Sequence, residues 1–419
     1  MRLDRRTAWA VVLVAATVFV VLAVTQVPWD RVPGGDLRPA RASDLFTPDQ
    51  IARAEEYSTT RRYLGWASYA VSLLVAALLG FTPWGAALVR RMFGSRRWWL
   101  VVMLATLLVL ALGRLATLPF AVAHHARRLE FGLSEQPWGA WIFDLGRSLL
   151  VSWFLTALVL LVLVLAARRS PRWWFAWAGV AAVVLTLAGS FLYPVVVEPV
   201  FNDFEPLPEG ELRSSVLTLA ERQGVEIDEI LVSDASQRTT TYNAYVSGFG
   251  DTRRVVLYDT LVEDLPLPEA EVVVAHELAH AKHNDVLVGT VLGASGAVLG
   301  VALLALVMDS TRLRRRLGIR GLGDPAAVPL VLALWAVALL AVSPVEAGIS
   351  RAIETRSDRD ALAATGESTT FVDMQRELAL KSLSDPTPPA WSQFWFGSHP
   401  TVLERAGLPA SLERAGDDR

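Results

Sequence analysis

The sequence predicts a mainly α protein: a seven-helix transmembrane bundle that carries an extramembrane α+β insert. Three observations predict it. Hydrophobic residues make up 53% of the 419 and charged residues only 19%, with a mean hydropathy of +0.38, a balance far from that of soluble domains. Seven apolar runs reach the roughly 20 residues a helix needs to cross a hydrocarbon layer. Between the fifth and sixth runs, residues 194 to 285 turn polar and mix helical with alternating periodicity.

Taken in order, the runs fall near residues 8–25, 63–81, 98–120, 145–167, 172–193, 286–308 and 326–344. The first has a long apolar core and no small-residue cleavage site after it, so it reads as an uncleaved span rather than a secretion signal. The stretches 26–62 and 121–144 read as extramembrane connectors, with His124 and His125 as interfacial or solvated residues. Arg114 is costly in lipid and should face the bundle interior or a watery cavity. In the insert, Pro208 to Gly224 reads as an amphipathic helix and Ile227 to Val232 as a strand. The runs around Tyr242-Asn-Ala-Tyr and Arg254-Val-Val-Leu-Tyr flank Gly250-Asp-Thr, which predicts a β-hairpin. Glu346 to Thr365 should continue the seventh span as a helix. The chain thus divides into 1–62, the first span and connector; 63–193, spans two to five; 194–285, the insert; 286–344, spans six and seven; and 345–419, the tail.

There is no cysteine, so disulfides and thiolate ligands play no part. Basic residues are almost all Arg, with Lys only at 282 and 381, a bias attributable to a GC-rich bacterial genome. No basic stripe interleaved with aromatics marks a nucleic-acid site. Neither nucleic acid nor nucleotide is expected as a partner.

Chemistry concentrates in His276-Glu-Leu-Ala-His280. On a helix, positions i and i+4 share a face, so both imidazoles can reach one metal ion, and Glu277 stands where a general base for water is needed. A catalytic zinc takes three protein ligands and leaves one position open. Downstream, Glu354 and Asp358 sit at i and i+4, offering Glu354 as the third ligand and Asp358 as the acid that accepts the free ring N–H of His276. His283, at i+7 from His276, lies about 10 Å along the axis and is out of ligand range. Two spans separate His280 from Glu354, an even number, so both segments lie on one side of the membrane and close to its surface.

These residues, with the Asn243-Ala-Tyr hairpin, Leu118-Pro-Phe followed by Glu130-Phe-Gly-Leu, Tyr193-Pro before Phe201-Asn, and Ser398-His399-Pro400 with Arg405, together resemble the type I CAAX prenyl endopeptidases, which are integral-membrane gluzincins. The resemblance runs from the second span to Arg405. It implies one zinc per chain, seven helices around a large chamber, a zincin-like insert, and endoproteolysis of a protein or peptide near its C-terminus. Carried over, His276, His280 and Glu354 are the zinc ligands, Glu277 the base, His399 the donor to the developing oxyanion and Arg405 a supporting residue. Tyr242, Asn243, Ala244 and Tyr245 resemble the strand along which a substrate lies. Nothing in the chain encodes prenyl recognition, so quality control of non-prenylated membrane proteins stands as an alternative. An inactive scaffold would have lost a ligand or base, and a transporter would carry polar residues in several spans.

Arg2, Arg5 and Arg6, then Arg90, Arg91, Arg96 and Arg97, then Arg168, Arg169 and Arg172, then Arg312, Arg314, Arg315, Arg316 and Arg320 flank the spans on one side. By the positive-inside rule that side is cytoplasmic. The zinc site is therefore expected on the extracytoplasmic face of a bacterial cytoplasmic membrane, with membrane lipid as a standing partner.

Overall fold

The computed structural model describes residues 3–248 and 253–417. Among these, seven helices are long and apolar enough to cross a membrane, one for each apolar run in the sequence. Helix α1 (Arg5–Gln26) opens on Asp4, whose carboxylate accepts the Thr7 amide hydrogen. A connector with the short α2 (Ala42–Leu45) leads to α3 (Pro48–Gly80). Thr47 and Gln50 form a capping box there and Pro48 sets the first turn, so the helix starts well before its apolar part. No Gly or Pro interrupts residues 49–64. The second half of the first connector is therefore helical.

The bundle continues through α4 (Pro83–Phe93), α5 (Trp98–Glu130), α6 (Trp138–Arg169) and α7 (Trp174–Leu192). At 33 residues each, α3 and α5 are about 50 Å long, roughly 20 Å more than the hydrocarbon layer needs. One consequence overturns an expectation. His125, read as a solvated or interfacial connector residue, is buried, because the first turn of α6 brings Trp138 edge-on and Trp141 face-on to its ring at 4.6 and 4.9 Å. Arg114 is half-buried and donates to Ser148 Oγ on α6 at 3.5 Å, turned toward its neighbour in the bundle.

After α7 the chain unwinds through a wide turn at Tyr193–Val197 and a tight one at Glu198–Val200 into a four-stranded sheet. Its strands are β1 (Phe204–Pro206), β2 (Glu229–Ser233), β3 (Ala244–Ser247) and β4 (Arg254–Tyr258), in the order β1-β2-β4-β3. Strands β2 and β4 pair in parallel, and β3 pairs with β4 antiparallel as the predicted hairpin. Its turn, Gly250-Asp251-Thr252, lies outside the described residues. Strand β3 is left at the sheet edge. Between β1 and β2, α8 (Glu211–Gln223) buries Val216, Leu219 and Ala220 and stops at Gly224, whose φ of 68° suits a residue without Cβ.

Helices α9 (Asp259–Asp264) and α10 (Leu267–Lys282) follow, and α10 lies at the centre of the insert's core with Val272, Val274, Ala275 and Leu278 fully or almost fully buried. Only His283 and Asn284 separate α10 from α11 (Asp285–Met308), and Asn284 takes the left-handed conformation that reverses the chain. Past α12 (Thr311–Leu317), α13 (Val328–Thr365) runs unbroken for 38 residues, the predicted continuation of the seventh span. The tail folds as α14 (Ser368–Ser382), α15 (Ala390–Phe396), α16 (Val402–Ala406) and α17 (Leu408–Asp417). The first connector straps this tail: Ala40 N–H donates to Leu403 O at 2.8 Å and Arg38 N–H to Ser411 Oγ at 3.0 Å.

Candidate metal centre

The helical repeat of α10 brings His276 and His280 to one face, and the extramembrane part of α13 sets Glu354 opposite them. His276 Nε2 stands 3.3 Å from His280 Nε2 and 3.2 Å from Glu354 Oε2, and His280 Nε2 is 3.6 Å from Glu354 Oε1. Donors bonded tetrahedrally to zinc at 2.0–2.1 Å are about 3.4 Å apart. The three side chains are therefore spaced as the edges of such a site, and their donor atoms lie within 4.8 Å of one another.

Charge points the same way. Glu277, Glu354 and Asp358 all lie within electrostatic reach of a single guanidinium, that of Arg405, so acidic groups outnumber the fixed cation at the site. Glu354 Oε2 is buried without a hydrogen bond, an arrangement that is costly unless a cation meets it. A proton answers part of this demand. Burial alone would lower the pKa of His276, but the adjoining carboxylates of Asp358 and Glu354 more than reverse that and raise it to about 10. Burial lifts Glu277 above the usual carboxylate range; the two histidines oppose this and Glu354 adds to it.

Each imidazole is oriented by its own carboxylate. Asp358 Oδ1 takes the Nδ1–H of His276 at 2.9 Å, and Arg405 grips the same carboxylate with Nε at 2.9 Å and Nη2 at 2.5 Å. The charge of Asp358 raises the pKa of Arg405 against the opposing effect of burial. His280 Nδ1 instead meets Asp285 Oδ2 at 3.0 Å and Ser357 Oγ at 3.2 Å, and Arg356 clasps Asp285 from the other side. Sequence reasoning missed Asp285, Ser357 and Arg356. Asp285 opens α11 just past a chain reversal, so helical periodicity from His280 cannot find it, although Arg356 and Ser357 stand inside the Glu354–Asp358 stretch already singled out. His283 turns away to Asp360 at 2.5 Å, where Lys282 also binds.

His399 Nε2 lies 3.4 Å from Glu354 Oε2. Its ring opens on a cavity of about 950 Å³ bounded by Arg61, Trp66, Tyr69, Phe120 and His124 from the spans and by Arg405 from the tail. Surrounding protein still desolvates the ring and holds its pKa below the ordinary value, with Glu354 pulling the other way. Of the hairpin residues, Asn243 is exposed, Ala244 is buried, Tyr242 lies under Lys381 at 4.6 Å and Tyr245 donates to Glu198 Oε2 at 3.2 Å. They form the start of β3 at the open sheet edge and the residues just before it.

Known proteins share this plan. Residues 206–407 match the family model described as Peptidase family M48, and residues 35–203 match the one described as CAAX prenyl protease N-terminal, five membrane helices. The chain is 29% identical over 386 residues to Uncharacterized metalloprotease YhfN of Bacillus subtilis, covering 90% of this chain and 88% of the relative. It is 28% identical over 317 residues to CAAX prenyl protease 1 of Saccharomyces cerevisiae, covering 71% and 69%. The fold matches the crystal structure of S. mikatae Ste24p with a TM-score of 0.78 at 22% identity, covering 96% of this chain and 98% of that one.

Proposed function

The chain belongs to the CAAX prenyl protease family of multi-pass membrane metallopeptidases, and from that premise we propose that it is a zinc endopeptidase cleaving membrane-associated proteins or peptides. The observation that carries the reading is the tetrahedral spacing of His276, His280 and Glu354, which fits zinc better than a larger ion with an all-oxygen shell. Zinc held there supplies Lewis acidity at a scissile carbonyl and lowers the pKa of water.

The remaining work falls to the chain's own residues. Glu277, its pKa raised by burial, accepts the proton of the attacking water and returns it to the leaving amine. His399 donates from the cavity side to the oxygen on which negative charge develops. Asp358, held by Arg405, keeps His276 in the tautomer that presents Nε2 to the metal. The residues from Tyr242 to Tyr245 offer main-chain groups at a sheet edge, so a peptide can add as a strand with little demand on its side chains. That mode favours a broad choice of substrates, prenylated or not.

Glu277→Gln keeps the ligand set and removes the base. Cleavage should fall by about 10²–10⁴-fold while zinc measured by elemental analysis stays near one per chain. Peptides retained by this variant in membranes identify the substrate class. Unchanged cleavage would sink the reading.

The arginine-rich loops meet at the end of the bundle away from the site, through Arg5–Asp309, Arg172–Asp4, Arg90–Asp324 and Arg168 to Gly323 O. By the positive-inside rule that end is cytoplasmic, which puts the catalytic side outside. Ser170→Cys and Arg315→Cys should resist an impermeant maleimide on intact bacterial cells expressing the protein, with no native thiol to confuse the result. Labelling of both would reverse the orientation.

A further inference from the structure

Arg351 stands one turn before Glu354 on α13, yet it forms no ion pair among the described residues. Its guanidinium is half-buried, and its Nη1 donates instead to two main-chain carbonyls, Gln393 O at 3.0 Å and Gly397 O at 2.6 Å. These belong to the last turn of α15 and the loop that leads to His399. The Gln393 side chain then donates from Nε2 to the carbonyl of His399 itself at 2.7 Å. To reach it, the carboxamide folds back under Gly397, where a Cβ would overlap it. The apolar side of the same short helix is fixed separately, by Trp66 against Trp391 and Phe396 at 4.9 and 4.4 Å.

A charged donor bound to carbonyls makes strong, directional hydrogen bonds. Spending one here rigidifies a single thing, the path from α15 to His399, and anchors it to the helix that carries Glu354. A seven-residue helix has little intrinsic stability, so without this clasp the loop would be free to drift from the metal centre. We infer that Arg351, Gln393 and Gly397 form a positioning clasp that sets the distance of His399 from Glu354. The inference rests on the role proposed above for His399. It assigns the glycine a purpose too: Gly397 is needed for the space it leaves to Gln393, since its φ of −75° is open to any residue.

The test uses full-length enzyme in detergent and a fluorogenic quenched peptide, reading kcat, KM and bound zinc for Arg351→Met, Gln393→Ala and Gly397→Ala. Displacement of a catalytic group by about 1 Å can cost up to roughly 100-fold. Each variant should lower kcat by about 10–100-fold with KM and zinc content unchanged. Gly397→Ala should cost nothing further once Gln393→Ala has emptied the space. In a His399→Ala background, Arg351→Met should also add nothing, because the group it positions is gone. An undiminished loss in that background, or loss of zinc from Arg351→Met, would overturn the clasp and make Arg351 a support of Glu354. Wild-type kcat in His399→Ala alone would overturn the role of His399 and the clasp with it.

Discussion

The last span, Pro325–Thr365, which is α13 with the turn that leads into it, has 39% of its most apolar 18-residue stretch buried against the rest of the protein, whereas α3, which lies beside α13, has 6%. Both helices outrun the membrane, and both contribute side chains near the catalytic end. The difference lies in what surrounds them. One end of α13 is fixed in the core by Val328, Leu330 and Ala333, and its far end bears Glu354, Thr355, Ser357 and Asp358, all buried. Helix α3 has lipid on one side and, through Arg61, Trp66 and Tyr69, a hollow on the other. A span lining a chamber thus behaves as a wall and keeps little protein around it, while the span carrying Glu354, a candidate metal ligand, behaves as a pillar. Exposure in such a bundle mixes two solvents, lipid outside and water within.

Breaking the pillar should cost most. Glu354→Ala removes one of three donors and leaves two imidazoles, so bound zinc should drop to a small fraction of one per chain and cleavage should vanish; retention of stoichiometric zinc would show that another side chain completes the set. Asp358→Ala leaves every donor in place but frees the His276 ring and strands Arg405 in a buried position. Zinc affinity by competition with a chelator should fall about 10–100-fold, and by less in Asp285→Ala, whose partner His280 keeps Ser357. Equal effects would mean that the two imidazoles are held alike. Where the wall meets the pillar, a Cβ on Gly80 would collide with Ala333 and with the Pro329 carbonyl. Gly80→Ala should lower thermal stability by about 1–3 kcal/mol, against less than about 0.5 kcal/mol for Leu74→Ala at an open position, 57% exposed. If both were silent, the two helices would not be pressed together as described.

The same contrast explains what the sequence made legible. Spans announce themselves because lipid imposes one long apolar period, and the metal residues because a helix repeats its face every three to four positions. Both the His276/His280 and Glu354/Asp358 pairs obey that local rule. What stayed hidden depends on tertiary contact. His125 looks like any polar residue in a connector until Trp138 and Trp141 arrive from the next helix. Asp285 sits across a chain reversal from His280, and the wall of the cavity draws Trp66 and Phe120 from two different spans and Pro388 from the distant tail.

The two-residue reversal at His283 and Asn284 ties the metal-facing helix directly to a membrane span. A longer, slack tether would let the catalytic centre sample many heights above the lipid. This one allows a single height. Under the function proposed above, the bilayer surface would serve as a ruler: for a substrate held by a lipid anchor, the bond that meets Glu277 would be set by how many residues reach from the anchor to that level.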